Sequence, residues 1–333
     1  MKKTGKRLLA AMLLFCTILI GAADEAQSTE STSETVNSAD DLPGKRIGVQ
    51  LGTTGDIYVS DYESDGSGTV VERYNKGADA IQALKQGKID CVVIDEQPAI
   101  KFVEQNTGIR ILDEEFTLED YAFVVAKSNT ELLDKVNSAL EKLEADGTIA
   151  DIQKNYIGTE DEIGKFPYES KDVSHENGTL TVGTNAEFPP YESYEDGQIV
   201  GIDMDIMRAV SDELGMELKI EDMAFDSIIP AISTGKVDIG AAGFTVTEER
   251  KKNVNFTDTY TTSKQVIIVK DDTVTSEKVG LGEKFYDNFI KDSRYVYLLK
   301  GLGNTLLITV LALLVGVVFG FLIAIVRTNH DRN

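Results

Sequence analysis

The chain is short of the residues on which most polar catalysis depends. Of 333 residues, two are cysteine (Cys16 and Cys91) and two are histidine (His175 and His330). Two cysteines exclude a disulfide framework and any cysteine-based metal site of the usual spacing. Two histidines leave little room for histidine-based catalysis. Positive charge is also scarce: 33 Lys and Arg against 56 Asp and Glu give a formal charge of −23. With no Lys/Arg cluster to neutralise phosphates, no nucleic-acid partner is expected. Nor should the soluble part adhere to an anionic membrane surface. A phosphate-binding G-x-x-x-x-G-K-[ST] is missing. The nearest string, Ser233-Thr234-Gly235-Lys236, lacks the spaced glycine and the hydroxyl after lysine, so the chain is not expected to be an ATPase itself. What remains is 42% apolar and 27% charged, a globular composition, and the length suffices for two α/β units.

The two ends depart from that average. Residues 1–23 have the build of a secretory signal: Lys2, Lys3, Lys6 and Arg7, then the apolar Leu8–Ile20, then small residues at Gly21-Ala22-Ala23. An uncleaved anchor is the alternative. Cys16 follows bulky Phe15, which speaks against a lipoprotein. Loss of the four positive charges would leave −27. Near the other end, Leu306–Val326 has Thr309 as its only clearly polar side chain. At about 1.5 Å per residue its 21 residues span ~31 Å, the thickness of a bilayer core. A transmembrane helix is expected over 305–327, entering from outside if the signal exports what precedes it, with 328–333 cytoplasmic. Gly316 and Gly320 read as ordinary small packing residues.

Between the ends, residues 24–40 are rich in Ser, Thr, Glu and Ala and read as a disordered tether. Strands then alternate with helices. Arg46–Gln50, Cys91–Ile94, Tyr121–Ala126, Thr179–Gly183, Leu218–Glu221, Val237–Ala241 and Gln265–Val269 read as strands. Gly77–Gly87, Thr130–Asp146, a short helix ending at Tyr156, Met204–Leu214 and Asp226–Thr234 read as helices. A polar linker covers 158–177. One echo stands out: Ala83–Asp90 (A-L-K-Q-G-K-I-D) matches Ala231–Asp238 (A-I-S-T-G-K-V-D), each a helix end, a Gly-Lys turn and entry into a buried strand. Twice in one context implies two similar α/β lobes. Mainly parallel sheets follow, with ligands at the carboxyl ends of strands, in a cleft between the lobes.

Five segments carry a resemblance: Val182–Tyr191 (V-G-T-N-A-E-F-P-P-Y), Gly201–Asp205 (G-I-D-M-D), Phe225–Ala231 (F-D-S-I-I-P-A), Ala242–Arg250 (A-G-F-T-V-T-E-E-R) and Val254–Thr257 (V-N-F-T). Together they resemble the first lobe of the polar amino-acid binding proteins of ABC importers, the family 3 solute-binding proteins. Gly44–Gly55 and Val93–Pro98 resemble the second lobe, and Asp146–Gly158 the closing helix pair. The motifs are specific as a set and weak singly. The resemblance implies the two-lobed α/β periplasmic-binding-protein type II fold with its lobe order reversed. The expected parts are lobe two at 41–126, closing helices at 127–158, linker at 159–177 and lobe one at 178–272. The simple reading is one circularly permuted domain with new ends in the hinge. A 20-residue flexible linker reaches ~25 Å, enough to join the usual ends. Two truncated tandem domains are the rival reading.

Residues 273–304 are expected to be juxtamembrane. Leu299–Leu306 and Ala324–Arg327 resemble the two ends of the first helix of the permease in the same importers. That likeness implies partners: the remaining permease helices and a cytoplasmic ATP-binding subunit. The chain looks truncated after this helix, and residues 24–304 would be extracytoplasmic at the cell membrane.

A free amino acid is a zwitterion. Its carboxylate needs a bidentate donor and backbone N–H groups, and its ammonium needs a carboxylate. The resemblance places Arg250 on the carboxylate and Asp95 on the ammonium. It places Thr245 and Gly243 as a hydroxyl and backbone groups, and Phe188 and Phe225 as a sandwich for the side chain. Thr53 and Thr54 open a helix whose N–H groups would favour the same carboxylate. Asn185 stands where many relatives carry an acid, so their specificity does not carry over there. No cofactor, metal ligand or catalytic residue is implied. Two other functions share these features: a membrane-tethered sensor, and a dehydratase-like enzyme on the same fold. Glu187 and Glu192 are the only acids near the motif for the latter.

Overall fold

A computed structural model describes residues 35–114, 117–271 and 295–330. The expected signal segment, residues 24–34 of the tether and residues 273–294 of the juxtamembrane segment lie outside the described residues. Two units emerge, Met1–Asp271 and Asp272–Asn333.

The first unit is mixed α/β. In chain order it runs β1 (Arg46–Gln50), α1 (Thr54–Ser60), β2 (Val70–Tyr74), α2 (Gly77–Lys85), β3 (Cys91–Asp95), α3 (Glu96–Gln105), β4 (Ile109–Ile111) and β5 (Thr117–Tyr121). Next come β6 (Val124–Ala126), α4 (Thr130–Ala145) and α5 (Thr148–Ile157). After the linker follow β7 (Thr179–Thr184), β8 (Glu187–Phe188), β9 (Glu192–Glu195), β10 (Gln198–Val200) and α6 (Ile202–Leu214). The unit ends with β11 (Glu217–Asp222), α7 (Phe225–Ser233), β12 (Ile239–Gly240), β13 (Val254–Phe256) and β14 (Thr261–Lys270).

Two sheets carry the architecture. The first has the order β2-β1-β3-β14-β4, with β5 also paired to β14; the second has the order β11-β7-β12-β6-β13. Each has three parallel strands followed by an antiparallel one. The first sheet is buried on both faces, as parallel sheets are. Ile47, Val49, Cys91, Val93, Ile267 and Val269 pack to one side, while Val92, Ile94, Val266 and Ile268 face Ala80, Ile81, Leu84 and Phe102 on the other.

Two strands cross the boundaries expected from the sequence. β6, from the first half of the chain, sits inside the second sheet, and β14, from the second half, sits inside the first. Apolar runs alone do not say which sheet a strand joins. The chain crosses between the sheets at Tyr121–Val124 and again at Phe256–Thr261. The crossings lie side by side: Thr257 N–H donates to Phe123 O at 2.9 Å and Tyr260 N–H to Tyr121 O at 3.0 Å. The Phe123 and Tyr260 rings stack at 4.4 Å. On the permuted reading new chain ends are expected in this hinge; the first and last described residues of this unit lie by the first sheet, the Val36 side chain in its core and Asp271 N–H bonded to Gly108 O beside β4.

The internal echo is a repeated turn. Gly87 (φ 74°) and Gly235 (φ 71°) end α2 and α7 in the left-handed region that favours glycine. Lys88 N–H reaches Ala83 O at 3.0 Å, as Lys236 N–H reaches Ala231 O at 2.9 Å. Asp90 and Asp238 each accept a backbone N–H of the adjacent parallel strand, from Arg46 and Thr181, at 2.8 Å.

Helices α4 and α5 pack against α6, and the linker that follows is pinned to the end of α6. Tyr168 O–H and Lys171 N–H both donate to Asp212 Oδ2 at 2.8 Å. The linker therefore starts and finishes beside the second sheet.

The second unit contains α8 (Tyr295–His330). Its segment Leu299–Val317, of mean hydropathy 1.8, is long and apolar enough to cross a membrane. Thr305 and Thr309 donate their hydroxyls to carbonyls one turn back, at 3.0 and 2.8 Å, which satisfies them within the helix.

Candidate ligand-binding site

The carboxyl ends of the parallel strands in both sheets open onto one cavity, as expected for α/β sheets. Gln50 ends β1, Asp95 ends β3, Asn185 follows β7, and Ala242 and Gly243 follow β12. Phe225 opens α7, and Thr53 caps α1 by accepting from Asp56 N–H. With Thr54, Phe188, Glu192, Thr245 and Arg250 these residues surround about 290 Å³ of atom-free space, its mouth included. All nine residues singled out in the sequence line this cavity. Gln50 and Ala242 line it as well and were not singled out; Glu192, which also lines it, was noted only as an acid near the motif.

Arg250 is 6% exposed and ties the two sheets together. Its Nη1 donates to Thr245 O at 2.9 Å and its Nη2 to Gly52 O at 3.0 Å. The guanidinium carbon lies 5.4 Å from the ring centres of both Phe225 and Phe244. Burial lowers its pKa, and Asp95 and Glu119 pull it back up; an arginine stays protonated under such shifts. Two further links join the halves of the cavity. Gln50 Nε2 donates to Asn185 Oδ1 at 2.8 Å, and Lys76 pairs with Glu187. Asn185 Nδ2 in turn donates to Met223 O at 2.9 Å.

Several expected ligand contacts are already engaged within the protein. The Gly243 N–H donates to Asp203 Oδ2 at 2.9 Å. Thr245 and Thr54 donate their hydroxyls to Glu119 Oε2 at 2.7 and 2.9 Å. Gln265 Nε2 joins the same oxygen at 3.2 Å. Phe188 stacks on Tyr191 at 5.8 Å and Phe225 on Phe244 at 4.7 Å. Glycine is required at 243: its φ is 55°, and a Cβ there would come within 2.8 Å of Phe188 Cε1.

The cavity's charge is lopsided. Asp95 and Glu192 in its lining, and Glu119 and Asp203 bonded to the lining residues Thr245 and Gly243, are all buried, while Arg250 is the one buried cation among the described residues. Burial pushes Asp95 up to about 7, and the Glu119 charge adds to it, while the hydrogen bond from Tyr121 O–H opposes. Burial also pushes Asp203 up to about 7, against hydrogen bonds from Gly243 N–H and Tyr260 O–H. In the unfolded chain both groups return to the ordinary carboxylate value of about 3.9. An acid whose pKa rises on folding contributes stability that is complete below the unfolded value and lost as pH rises through the folded one. The unliganded protein is therefore expected to lose thermal stability between pH 5 and 8. Exposed carboxylates held low by partners, such as Glu63 and Glu131, titrate below that window. Melting temperatures at half-unit steps check this; a flat or rising trend over pH 5–8 would contradict it.

Comparison with known proteins agrees with this architecture. The family model for bacterial extracellular solute-binding proteins, family 3, matches residues 67–159 and 180–327. The arginine-binding protein ArgT of Corynebacterium glutamicum is 44% identical over 25% of this chain and 28% of its own length. The arginine-binding extracellular protein ArtP of Bacillus subtilis is 40% identical over 28% of this chain and 36% of its own. The L-cystine-binding protein TcyJ of Escherichia coli is 30% identical over 38% and 47%. The aligned part thus spans between about a quarter and a half of these relatives. Each is named for the amino acid it binds and none as an enzyme. With more than half of its residues matched by the family model, the chain belongs to family 3 of the bacterial extracellular solute-binding proteins.

Proposed function

We propose that this protein binds a polar L-amino acid in the cavity between its two sheets and serves amino-acid import through an ABC transporter. The observation that carries the reading is Arg250: a buried cation that lines the cavity and bonds to both walls. A ligand carboxylate that met it would hold the two halves together, which is how closure would register occupancy. Asp95, at the end of β3, would take the ammonium. Relatives that bind arginine, histidine and cystine support an amino-acid ligand.

In this reading the domain is circularly permuted. The linker after α5 starts and finishes beside the second sheet, and both ends of the two-sheet unit lie beside the first. That arrangement suits a domain whose usual ends have been joined and whose new ends opened elsewhere. Each sheet also borrows a strand from the other half of the chain, which two truncated tandem domains would not need. Helix α8 is the first permease helix in this reading. The remaining permease helices and an ATP-binding subunit are its partners, and residues 24–304 lie outside the cell membrane.

The test is a thermal-shift panel of the twenty L-amino acids on the full chain in mild detergent. A ligand at a thousand times its dissociation constant stabilises by about 4 kcal/mol. One or a few polar L-amino acids are expected to raise the melting temperature. A folded protein indifferent to all twenty would sink the reading.

A further inference from the structure

The groups that move most when two halves open are those farthest from the hinge. Here the crossings lead into β6 and β14. In the first sheet β2 stands three places from β14; in the second, β11 stands three places from β6 and β7 two. At about 4.8 Å per strand, these far edges lie roughly 10–14 Å from the hinge strands. The loops that follow β2 and β7 meet across the cleft at these edges. Lys76, between β2 and α2, pairs with Glu187 at the start of β8. The charges of Asp222, at the end of β11, and of Asp79, on α2, also bear on the Lys76 ammonium. Asp222 is held on its own side, accepting from Ala186 N–H at 3.0 Å and Tyr194 O–H at 3.1 Å. Neither Lys76 nor Glu187 lines the cavity.

An exposed ion pair by itself contributes little. This one has a further effect, because of what closure brings together. Asp79 belongs to the first half, and Glu187 and Asp222 to the second. Without Lys76, closing the cleft would set acids against acids. With Lys76 between them the same edge attracts. We propose that Lys76 and Glu187 form a latch across the cleft, which favours the closed state and slows release of whatever the cavity holds. Both are positioning residues: they act on closure and not on the ligand. The latch forms only in the closed state, so it governs how fast the cleft reopens rather than how fast a ligand arrives. The Lys76 and Glu187 side chains are 45% and 33% exposed, so dissolved salt screens the pair. This inference goes beyond the amino-acid reading and holds for any occupant of the cavity.

The test reads closure directly, without a ligand. Spin labels at the exposed positions Gln82→Cys and Glu195→Cys, with Cys16→Ser, report the distance between the halves in the full chain in mild detergent. The ratio of closed to open forms is expected to fall about two- to fivefold in Lys76→Ala. Raising the salt should open the natural protein. In Lys76→Ala salt should have no effect or the opposite one, because it then screens only repulsion. Exchanging the charges, Lys76→Glu with Glu187→Lys, is expected to recover most of the loss, which a packing role for Lys76 would not allow. A second arm uses stopped-flow kinetics with an amino acid that the thermal-shift panel identifies. Release is expected to quicken about two- to fivefold in Lys76→Ala, with association changed by less than about twofold. An unchanged distance distribution in Lys76→Ala would overturn the proposal. So would a loss that the charge exchange does not recover, or a natural protein that stands open at low salt. If Lys76→Ala does not fold, the salt response of the natural protein decides. If no amino acid binds, the amino-acid reading fails while the distance measurement still decides this one.

Discussion

Arg250→Ala is expected to weaken amino-acid binding by at least about a hundredfold, since truncating one partner of a buried hydrogen-bonded charge pair costs on the order of 2–5 kcal/mol. Three effects add. The ligand carboxylate would lose its only buried cationic partner among the described cavity residues. Thr245 O and Gly52 O would lose their donors, and with them one of the bonds between the two walls. The faces of Phe225 and Phe244 would lose the charge stacked on them. Arg250→Lys is expected to recover only part of the loss, because an ammonium cannot bridge two carbonyls and a carboxylate with a planar fork. Titration calorimetry on the three proteins checks this. Binding by the alanine variant within threefold of the natural protein would remove Arg250 from the site.

The second large effect is on stability. Asp203 is fully buried at the start of α6 and accepts from Gly243 N–H at 2.9 Å and Tyr260 O–H at 2.5 Å. These two donors come from different places. One is the turn that shapes the cavity wall, and the other is the second crossing between the sheets. Asp203→Ala would strand both in an apolar interior. At about 1–3 kcal/mol for each unsatisfied donor, a loss of roughly 2–5 kcal/mol is expected. For a domain of this size that lowers the melting temperature by about 5–15 °C. Adding Tyr260→Phe removes one stranded hydroxyl, so the double variant is expected to be less unstable than the sum of the two single ones. A cycle of the four proteins by denaturant unfolding reads that coupling. Strict additivity would mean that the hydroxyl finds another partner.

Local pattern made much of the fold legible. The strands Arg46–Gln50, Cys91–Asp95 and Thr179–Thr184 lie within a residue of where the sequence places them. So does the helix with a clear 3.6-residue period, Thr130–Ala145. The edge strand β2 and the acidic β5 gave no such signal. Val70–Tyr74 buries a single residue, and Thr117–Tyr121 carries two adjacent acids, Glu119 and Asp120, with Leu118 exposed. Both are held by their neighbours in the sheet rather than by their own composition. Helix α3 carries Pro98 in its first turn, where a proline is well tolerated.

In the candidate site, the cavity-lining residues could be named because short motifs carried them. Their partners could not. Glu119 meets Thr54, Thr245 and Gln265 from three distant segments, and nothing near it in the sequence marks it as buried. The same holds for Glu192. It was visible as an acid beside a motif, but that its carboxylate oxygens find no hydrogen-bond partner among the described residues depends on what faces it. The expected donors Gly243 and Thr245 illustrate the converse. Motif position put them at the cavity, while their hydrogen bonds went to Asp203 and Glu119.

The exchange of strands between the two sheets has a consequence for how the molecule is made. A ribosome delivers β1 to β5 first, yet the strand that belongs between β3 and β4 is β14, the last of the domain. Likewise β6 emerges long before β12 and β13, the neighbours it must join. The second sheet cannot close on the nascent chain until synthesis has passed Phe256, nor the first until it has passed Lys270. Until then the apolar faces of β1 and β3 are without the strand that completes them, and the unpaired edge of β3 is open to other chains. Folding of the domain is thus a single late event, timed by the arrival of its final strand, and the unfinished chain depends on whatever holds it apart from its neighbours in the meantime.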